Sequence, residues 1–373
     1  MRMQQVRVDV CEMASPSDMS SFVELLDHGG VNAEDVIAIV GKTEGGALVD
    51  DYNRELSDLR FREVVAERMG ISRDGVAERI AIVLSGGTFG VLAPHVTVIS
   101  RTFQDVDEVE TSEKRLVVGR AFSEPILPEE IGRMPQIRKV AAAVRTAFEE
   151  SQVADPTDVH SVQVKAPTIT REMIAEAASR GRDVVTLDLG TTGAFGYAND
   201  ASALGVALAL GEVEEAALSD DVVRTNWNLF SSVAATSAAP DKIRAEVLLL
   251  GNAAASTSDL RIGHGITRDF IDTSGTKEAL RSAGLEFSCC PSDADLERVV
   301  QVFAKLIIPD GGMVRGHRTT LLDDIESAKT TKALGGALIG SVVGRTAFYM
   351  SGGEMNSHQG PPGGSPVAVI VRA

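Results

Sequence analysis

Three lysines and three serines are the residues of this 373-residue chain whose type and placement invite chemistry. Lys42, Lys165 and Lys305 each close an apolar run, in VIAIVGK, HSVQVK and VVQVFAK. Further along each stretch comes a serine: Ser85 in IAIVLSGG, Ser237 in SSVAATSAA and Ser351 in TAFYMSGG. Any one of these signals is weak, because most lysines are solvated and most Ser-Gly-Gly stretches are turns. The recurrence carries the weight. A lysine after a fully apolar strand sits in an expensive place unless it is paired or used, and here it returns three times in step with a serine.

Serine is a poor nucleophile at neutral pH and needs a base. A neutral lysine can be that base, but its reference pKa of about 10.4 leaves it protonated. Burial and nearby cations lower that value, and three lysines facing one axis would supply the cations to one another. A shift of about three units corresponds to roughly 4 kcal/mol. The same field would attract an anionic substrate and stabilise a developing oxyanion. The glycines after Ser85 and Ser351 would let backbone N–H groups approach substrate carbonyls. A pocket with three similar walls suits a small, flat, nearly threefold ring.

The elements that must position these residues recur as well. Each copy starts with a strand-like run, at Val6–Val10, Arg115–Gly119 and Leu260–Gly263. A helical stretch follows, at Met19–Leu26, Ile137–Glu150 and Thr276–Gly284; Ile137, Val140, Val144 and Phe148 give the middle one a clear apolar face. Next comes the lysine strand, whose apolar run suits burial on both faces. A small-residue helix is read in copies two and three, in ALGVALALGE and ALGGALIGSVVG. The serine turn and a last strand close each copy: HVTVIS, EVLLLGN and VAVIVRA. The reading is an α/β chain of three homologous repeat units, 1–105, 113–252 and 257–373, in a pseudo-threefold arrangement around one central site. Polar joins such as QDVDEVETSEK separate them.

Composition sets the frame. A hydrophobic share of 44% and a charged share of 24% are those of an ordinary globular protein. The formal charge of −17 argues against nucleic acid, which needs a basic face, and against an anionic membrane surface. It leaves room for a small anionic substrate in a locally cationic pocket. Cys11, Cys289 and Cys290 form no CxxC, so neither a disulfide framework nor a zinc site is expected. No apolar signal segment opens the chain and no stretch is apolar enough to span a bilayer, which makes the cytoplasm the expected compartment.

The motifs GKTEGG, DYNR, LSGGTFGVLAPH, VQVK, ASALGVALALGE, ATSAA, SGG, HQGPPGG and PVAVIVRA, in that order, resemble the cyanuric acid hydrolase/barbiturase family over essentially the whole chain. The resemblance implies a ring-opening amidohydrolase of three repeat units, with three Ser–Lys pairs around one central site, assembled as a homotetramer. It implies Ser237 as nucleophile and Lys165 as its base; residue types alone do not choose among the three pairs. Lys42 with Ser85, and Lys305 with Ser351, would grip the other ring carbonyls, and Gly86, Ala238 and Gly352 would offer backbone N–H groups. The expected reaction opens a small cyclic imide through an acyl-enzyme and requires no organic cofactor.

The chain departs from the family pattern in ways that bear on the substrate. The resemblance places one substrate arginine in each unit; Arg54 is kept, while Asn199 and Lys329 stand at the other two positions. Arginine and lysine are not equivalent at a planar, bidentate site, and asparagine keeps hydrogen bonding while dropping the charge. These changes favour a less symmetric ring than cyanuric acid, such as barbituric acid or another cyclic imide. Some family members carry a structural divalent cation near the C-terminal loop, which points to Gln359, Gly360 and Gly364. Met355, Asn356 and Ser357 are inserted before that loop, and Leu306 and Ile307 stand where an acidic residue is expected.

Other patterns lead nowhere. VIAIVGKTEGG lacks the first glycine of a phosphate loop, and GTTGAFG (190–196) lacks the dinucleotide spacing. Ser274 and Lys277 match S-x-x-K without its companion motifs, and Ser274 reads as a helix N-cap. His95 and His358 read as hydrogen-bonded structural histidines. Two rival functions stay open: a non-catalytic ligand-binding paralogue, motivated by Asn199 and Lys329, and an amidase for a different heterocycle or for linear amides.

Overall fold

The structure, a computed structural model, describes residues 2–46, 51–106, 113–322 and 327–373. Its first stretch runs β1 (Arg2–Glu12), α1 (Ser20–Asp27), β2 (Val36–Thr43), α2 (Tyr52–Met69), α3 (Arg73–Ala77), β3 (Ala81–Gly86) and β4 (His95–Asp105). The second runs β5 (Arg115–Pro125), α4 (Met134–Ser151), β6 (Val159–Pro167), α5 (Arg171–Ser179), α6 (Ala194–Leu210), β7 (Ala234–Ala239) and β8 (Arg244–Ala253). The third runs β9 (Leu260–Thr267), α7 (Ser274–Ser282), α8 (Asp293–Glu297), β10 (Val299–Ile308), the short pair β11 (Met313–Val314) and β12 (His317–Arg318), α9 (Ser327–Val343), β13 (Tyr349–Met355) and β14 (Ser365–Arg372).

Three four-stranded sheets share one order: β1-β4-β2-β3, β5-β8-β6-β7 and β9-β14-β10-β13. In each, the lysine strand lies between the last strand of its stretch, antiparallel, and the serine strand, parallel. One shared core contains Val6, Val40, Leu116, Leu248, Leu260 and Phe303, so apolar faces of all three sheets meet there. The other faces are covered by helices, as where Phe22 and Phe61 pack on Ile39 and Ile82 in the first stretch. Burial on both faces is why the lysine strands carry almost unbroken apolar sequence.

Several details differ from the sequence reading. The lysine strands do not stop at their lysines: β6 continues to Pro167 and β10 to Ile308. The small-residue helices are α6 and α9, and the first stretch fills the same place in the order with α2, a charged helix that carries Arg54. The N-cap of α7 is Thr273, not Ser274; Ser274 lies inside the helix and its Oγ donates to Asp272. The β11–β12 pair had no counterpart in the repeat. Most of the charged join QDVDEVETSEK, at residues 107–112, lies outside the described residues.

Candidate active site

Strand pairing alone sets the serines beside the lysines. Lys42 pairs in register with Ser85, Lys165 with Ser237 and Lys305 with Ser351. In a parallel ladder, paired residues project to the same side of the sheet, so each lysine is delivered to its serine by backbone register. All three lysines are buried, at 0%, 2% and 1% exposure.

The three pairs then differ. Lys165 Nζ lies 3.2 Å from Ser237 Oγ and has no carboxylate or carbonyl within hydrogen-bond distance among the described residues. Lys42 Nζ donates to the Gly86 carbonyl at 2.8 Å and stands 3.4 Å from Ser85 Oγ. Lys305 Nζ donates to Glu354 Oε1 at 2.8 Å and to the Thr236 carbonyl at 2.9 Å, leaving Ser351 Oγ without a hydrogen-bond partner. The third pair keeps its register, and there a carboxylate takes the lysine.

Burial, and after it the Arg54 charge, holds Lys165 well below the ordinary lysine range, with Asp241 pulling the other way. Burial followed by Lys332 and Lys165 does the same for Lys42. The leading cations are thus Arg54 and Lys332, with the other strand lysines adding to them. An amine whose charged form is disfavoured, 3.2 Å from a hydroxyl, is placed to receive that hydroxyl's proton. Tyr349 is fully buried beside the Ser237 and Ser351 side chains, and burial pushes its phenol up to about 12.

One small cavity, about 430 Å³ with its mouth included, collects residues from all three stretches. Arg54, Ser85 and Gly86 come from the first; Lys165, Asn199, Ser237 and Ala238 from the second; Lys305, Ser351 and Gly352 from the third. Lys42 lies behind Ser85 rather than on the cavity wall. A wider cleft lined by Gln5, Arg7, Asp9 and Arg372 holds no Ser–Lys pair. Gly352 has φ +146°, and a Cβ there would come within 2.2 Å of the Leu306 carbonyl, so only glycine lets this backbone pass.

Lys329 is not part of the cavity lining. Its place is taken by Lys332, 3% exposed, whose pKa burial lowers to about 8. The two lysines lie three residues apart on α9, and both ammonium groups approach the Phe89 ring, at 5.5 and 5.6 Å. Alignment of the repeats on Ala-Leu-Gly selects Lys329, whereas the lysine in the cavity lining is about one helical turn further on. Lys332, Glu354, Tyr349, Thr191 and Phe195 are the site residues that the sequence reading missed. Glu354 could have been found as an acid directly after Ser-Gly-Gly, in a strand otherwise apolar or small.

In the C-terminal loop the side chain of Gln359 is already engaged in hydrogen bonds. Gln359 Oε1 accepts the Thr236 N–H at 2.6 Å, and its amide donates to Ser357 Oγ. The Gly360 N–H bonds the Ser231 carbonyl, and the Gly364 N–H bonds the Pro361 carbonyl. The nearby acid Asp200 is paired with Arg224 at 2.7 Å. Among the described residues no three His, Cys, Asp or Glu side chains are grouped to hold a metal. The loop instead anchors β7, the strand that carries Ser237. His95 Nδ1 donates to the Ala93 carbonyl, and His358 donates through Nδ1 to the Leu229 carbonyl while its Nε2 accepts the Arg224 N–H, as hydrogen-bonded structural histidines do.

Known proteins resemble this chain along nearly its whole length. Residues 7–372 match the family described as amidohydrolase ring-opening protein. A cyclic amide hydrolase of Pseudofrankia inefficax is 46% identical over 373 residues, covering 100% of this chain and 96% of the relative. A cyanuric acid amidohydrolase of Enterobacter cloacae is 45% identical over 375 residues, covering 99% of both chains. Barbiturase 1 of a Nocardioides species is 41% identical over 363 residues, covering 96% of both. A solved cyanuric acid hydrolase, described as an evolutionary innovation by structural concatenation, superposes with a TM-score of 0.93 at 41% identity, covering 100% of both chains. The chain belongs to the ring-opening amidohydrolase family and is a hydrolase of carbon–nitrogen bonds in cyclic amides.

Proposed function

We propose that the chain hydrolyses a small cyclic imide or ureide of the barbituric or cyanuric acid type, with Ser237 as nucleophile and Lys165 as its base. The observation that carries this reading is the 3.2 Å approach of the Lys165 amine to the Ser237 hydroxyl at the cavity wall. Ser237 Oγ adds to a ring carbonyl carbon while its proton passes to Lys165 Nζ. Collapse of the adduct breaks the ring C–N bond, and Lys165 returns the proton to the departing nitrogen. The resulting ester on Ser237 is then attacked by water, whose proton Lys165 accepts. Lys165 passes that proton to Ser237 Oγ as the ester C–O bond breaks, which restores Ser237 and the neutral amine, and the linear acid is released as its carboxylate. One water is consumed, no electrons change hands, and no organic cofactor is needed.

In this reading the three sheets stand in a pseudo-threefold arrangement, and the first and third serines with Gly86 and Gly352 hold the other ring oxygens. The shared strand order and the contribution of every sheet to one cavity support it. Assembly as a homotetramer belongs to the same reading, with light scattering as its check. The direct test is a steady-state assay on barbituric acid, cyanuric acid and related cyclic imides, alongside Ser237→Ala. Loss of turnover in that variant is expected; undiminished turnover would end the assignment.

A further inference from the structure

We propose that Asp241 is a positioning residue of the ring-opening site, holding the Arg54 guanidinium at the cavity and countering the cations around Lys165. The proposal rests on the ring-opening reading above and adds a residue to that same site. Asp241 follows Ser237 closely, in the turn between β7 and β8. Its Oδ1 stands 3.4 Å from Arg54 Nη2, and the two side chains are 17% and 4% exposed. Arg54 comes from α2 of the first stretch, so the contact joins the nucleophile's turn to a cavity wall supplied by another stretch of the chain.

The contact is one rung of a charge zipper. Arg54, Asp58 and Arg62 recur at the i, i+4 spacing on α2 and so share one face. Against them stand Asp241, Lys242 and Glu246 in the opposite order of sign. Lys242 Nζ donates to Asp58 Oδ1 at 3.0 Å and to Glu246 Oε1 at 2.8 Å. Arg62 pairs with Asp58 and stands 3.6 Å from Glu246. Of these residues Arg54 is the one in the cavity lining, so Asp241 reaches the site through it. The charged groups facing the Lys165 amine are Arg54, Asp241, Lys242, Lys305 and Lys42. Burial, then Arg54, disfavours the ammonium form; Asp241 is the member that favours it. A general base works best with a proton affinity near the working pH. The carboxylate therefore keeps the surrounding cations from weakening the base too far, while it tethers the nearest of them.

Asp241→Asn, which keeps the size and drops the charge, tests this on barbituric and cyanuric acid, with thermal melts in parallel. Wild type and variant share the substrate's own titration, so any difference between their pH profiles belongs to the protein. The acid limb of kcat/KM should move to lower pH, so that about one unit below the wild-type midpoint the variant keeps at least about twofold more of its plateau. Arg54→Met removes the opposing charge and should move the limb the other way. KM on the plateau should rise at least about threefold in Asp241→Asn. Asp241→Asn added to Arg54→Met should raise KM no further, because the carboxylate acts through the guanidinium. Asp241→Glu, which restores the charge, should return the limb to its wild-type place. Asp58→Asn is the structural reference: it breaks the neighbouring rung, so Tm should fall while the limb stays. If Asp241→Asn does not fold, Asp241→Ser carries the same expectations. A limb that stays or moves to higher pH in the folded variant, an equal shift in Asp58→Asn, or additive effects on KM would overturn the proposal. Retention of turnover by Ser237→Ala would instead overturn the ring-opening mechanism, so the two failures are distinguishable.

Discussion

Lys165 stands opposite Ser237 in the parallel register of β6 and β7, with 3.2 Å between amine and hydroxyl. The other two sheets repeat the register but not the chemistry. Lys42 is tied to a backbone carbonyl and Lys305 to Glu354. One fold element copied three times has therefore produced three different lysines, and the neighbours of each decide what it can do.

Removing the base should separate catalysis from folding. Lys165→Met is expected to lower kcat by about 10²–10⁴, the usual range for a general base. Its Tm should stay at or above that of the wild type, because a buried amine is exchanged for an apolar chain of similar length. A stopped assay with a parallel thermal melt checks both.

The depressed lysines fix the sign of two pH effects. Activity that depends on neutral Lys165 should rise with pH and fall as the pH drops through its folded-state pKa, which lies well below 10.5. For stability, the unfolded chain holds a proton on Lys42 and Lys165 up to about pH 10.4, while the folded chain has already released it. The unfolded state binds more protons in that window, so stability increases with pH between the folded and unfolded values. Each lysine contributes at most about 1.4 kcal/mol per pH unit. Urea titrations at pH 7, 8 and 9 should show the rise, and Lys42→Met should reduce its slope.

Lys332 and Lys329 offer a local contrast. Lys332→Ala should raise KM by roughly tenfold or more, a loss of about 1.4 kcal/mol of ligand binding. Lys329→Ala, outside the cavity lining, should change it by less than about threefold. Equal effects would place the substrate cation elsewhere on α9.

Glu354→Ala would strand Lys305, 1% exposed, without its carboxylate. Breaking a buried pair in this way typically costs about 3–5 kcal/mol, to be seen as a lowered urea midpoint.

Gly352→Ala forces a side chain into φ +146° and against the Leu306 carbonyl. A destabilisation of at least about 1–3 kcal/mol is expected, with reduced turnover because Ser351 precedes the strained position. Far-UV circular dichroism and a melt distinguish local strain from global unfolding.

The chain's own pattern determined the repeat, the three lysine strands and the pairing of each lysine with a serine. Unbroken apolar runs ending in an ionisable group are costly, and their recurrence in order left little freedom in how the copies fold. The family motifs further assigned the reaction class. What the sequence could not decide was the environment of each pair. Glu354 is remote in sequence from Lys305 and Asn199, and only the packing of β13 against β10 and α6 makes it their partner. Lys332 replaced Lys329 for a similar reason: residues one turn apart share a helix face, and tertiary contact decides which of them reaches the cavity. Residue type and spacing fix local geometry and register, whereas burial, charge balance and specificity depend on which distant side chains the fold brings within hydrogen-bond reach.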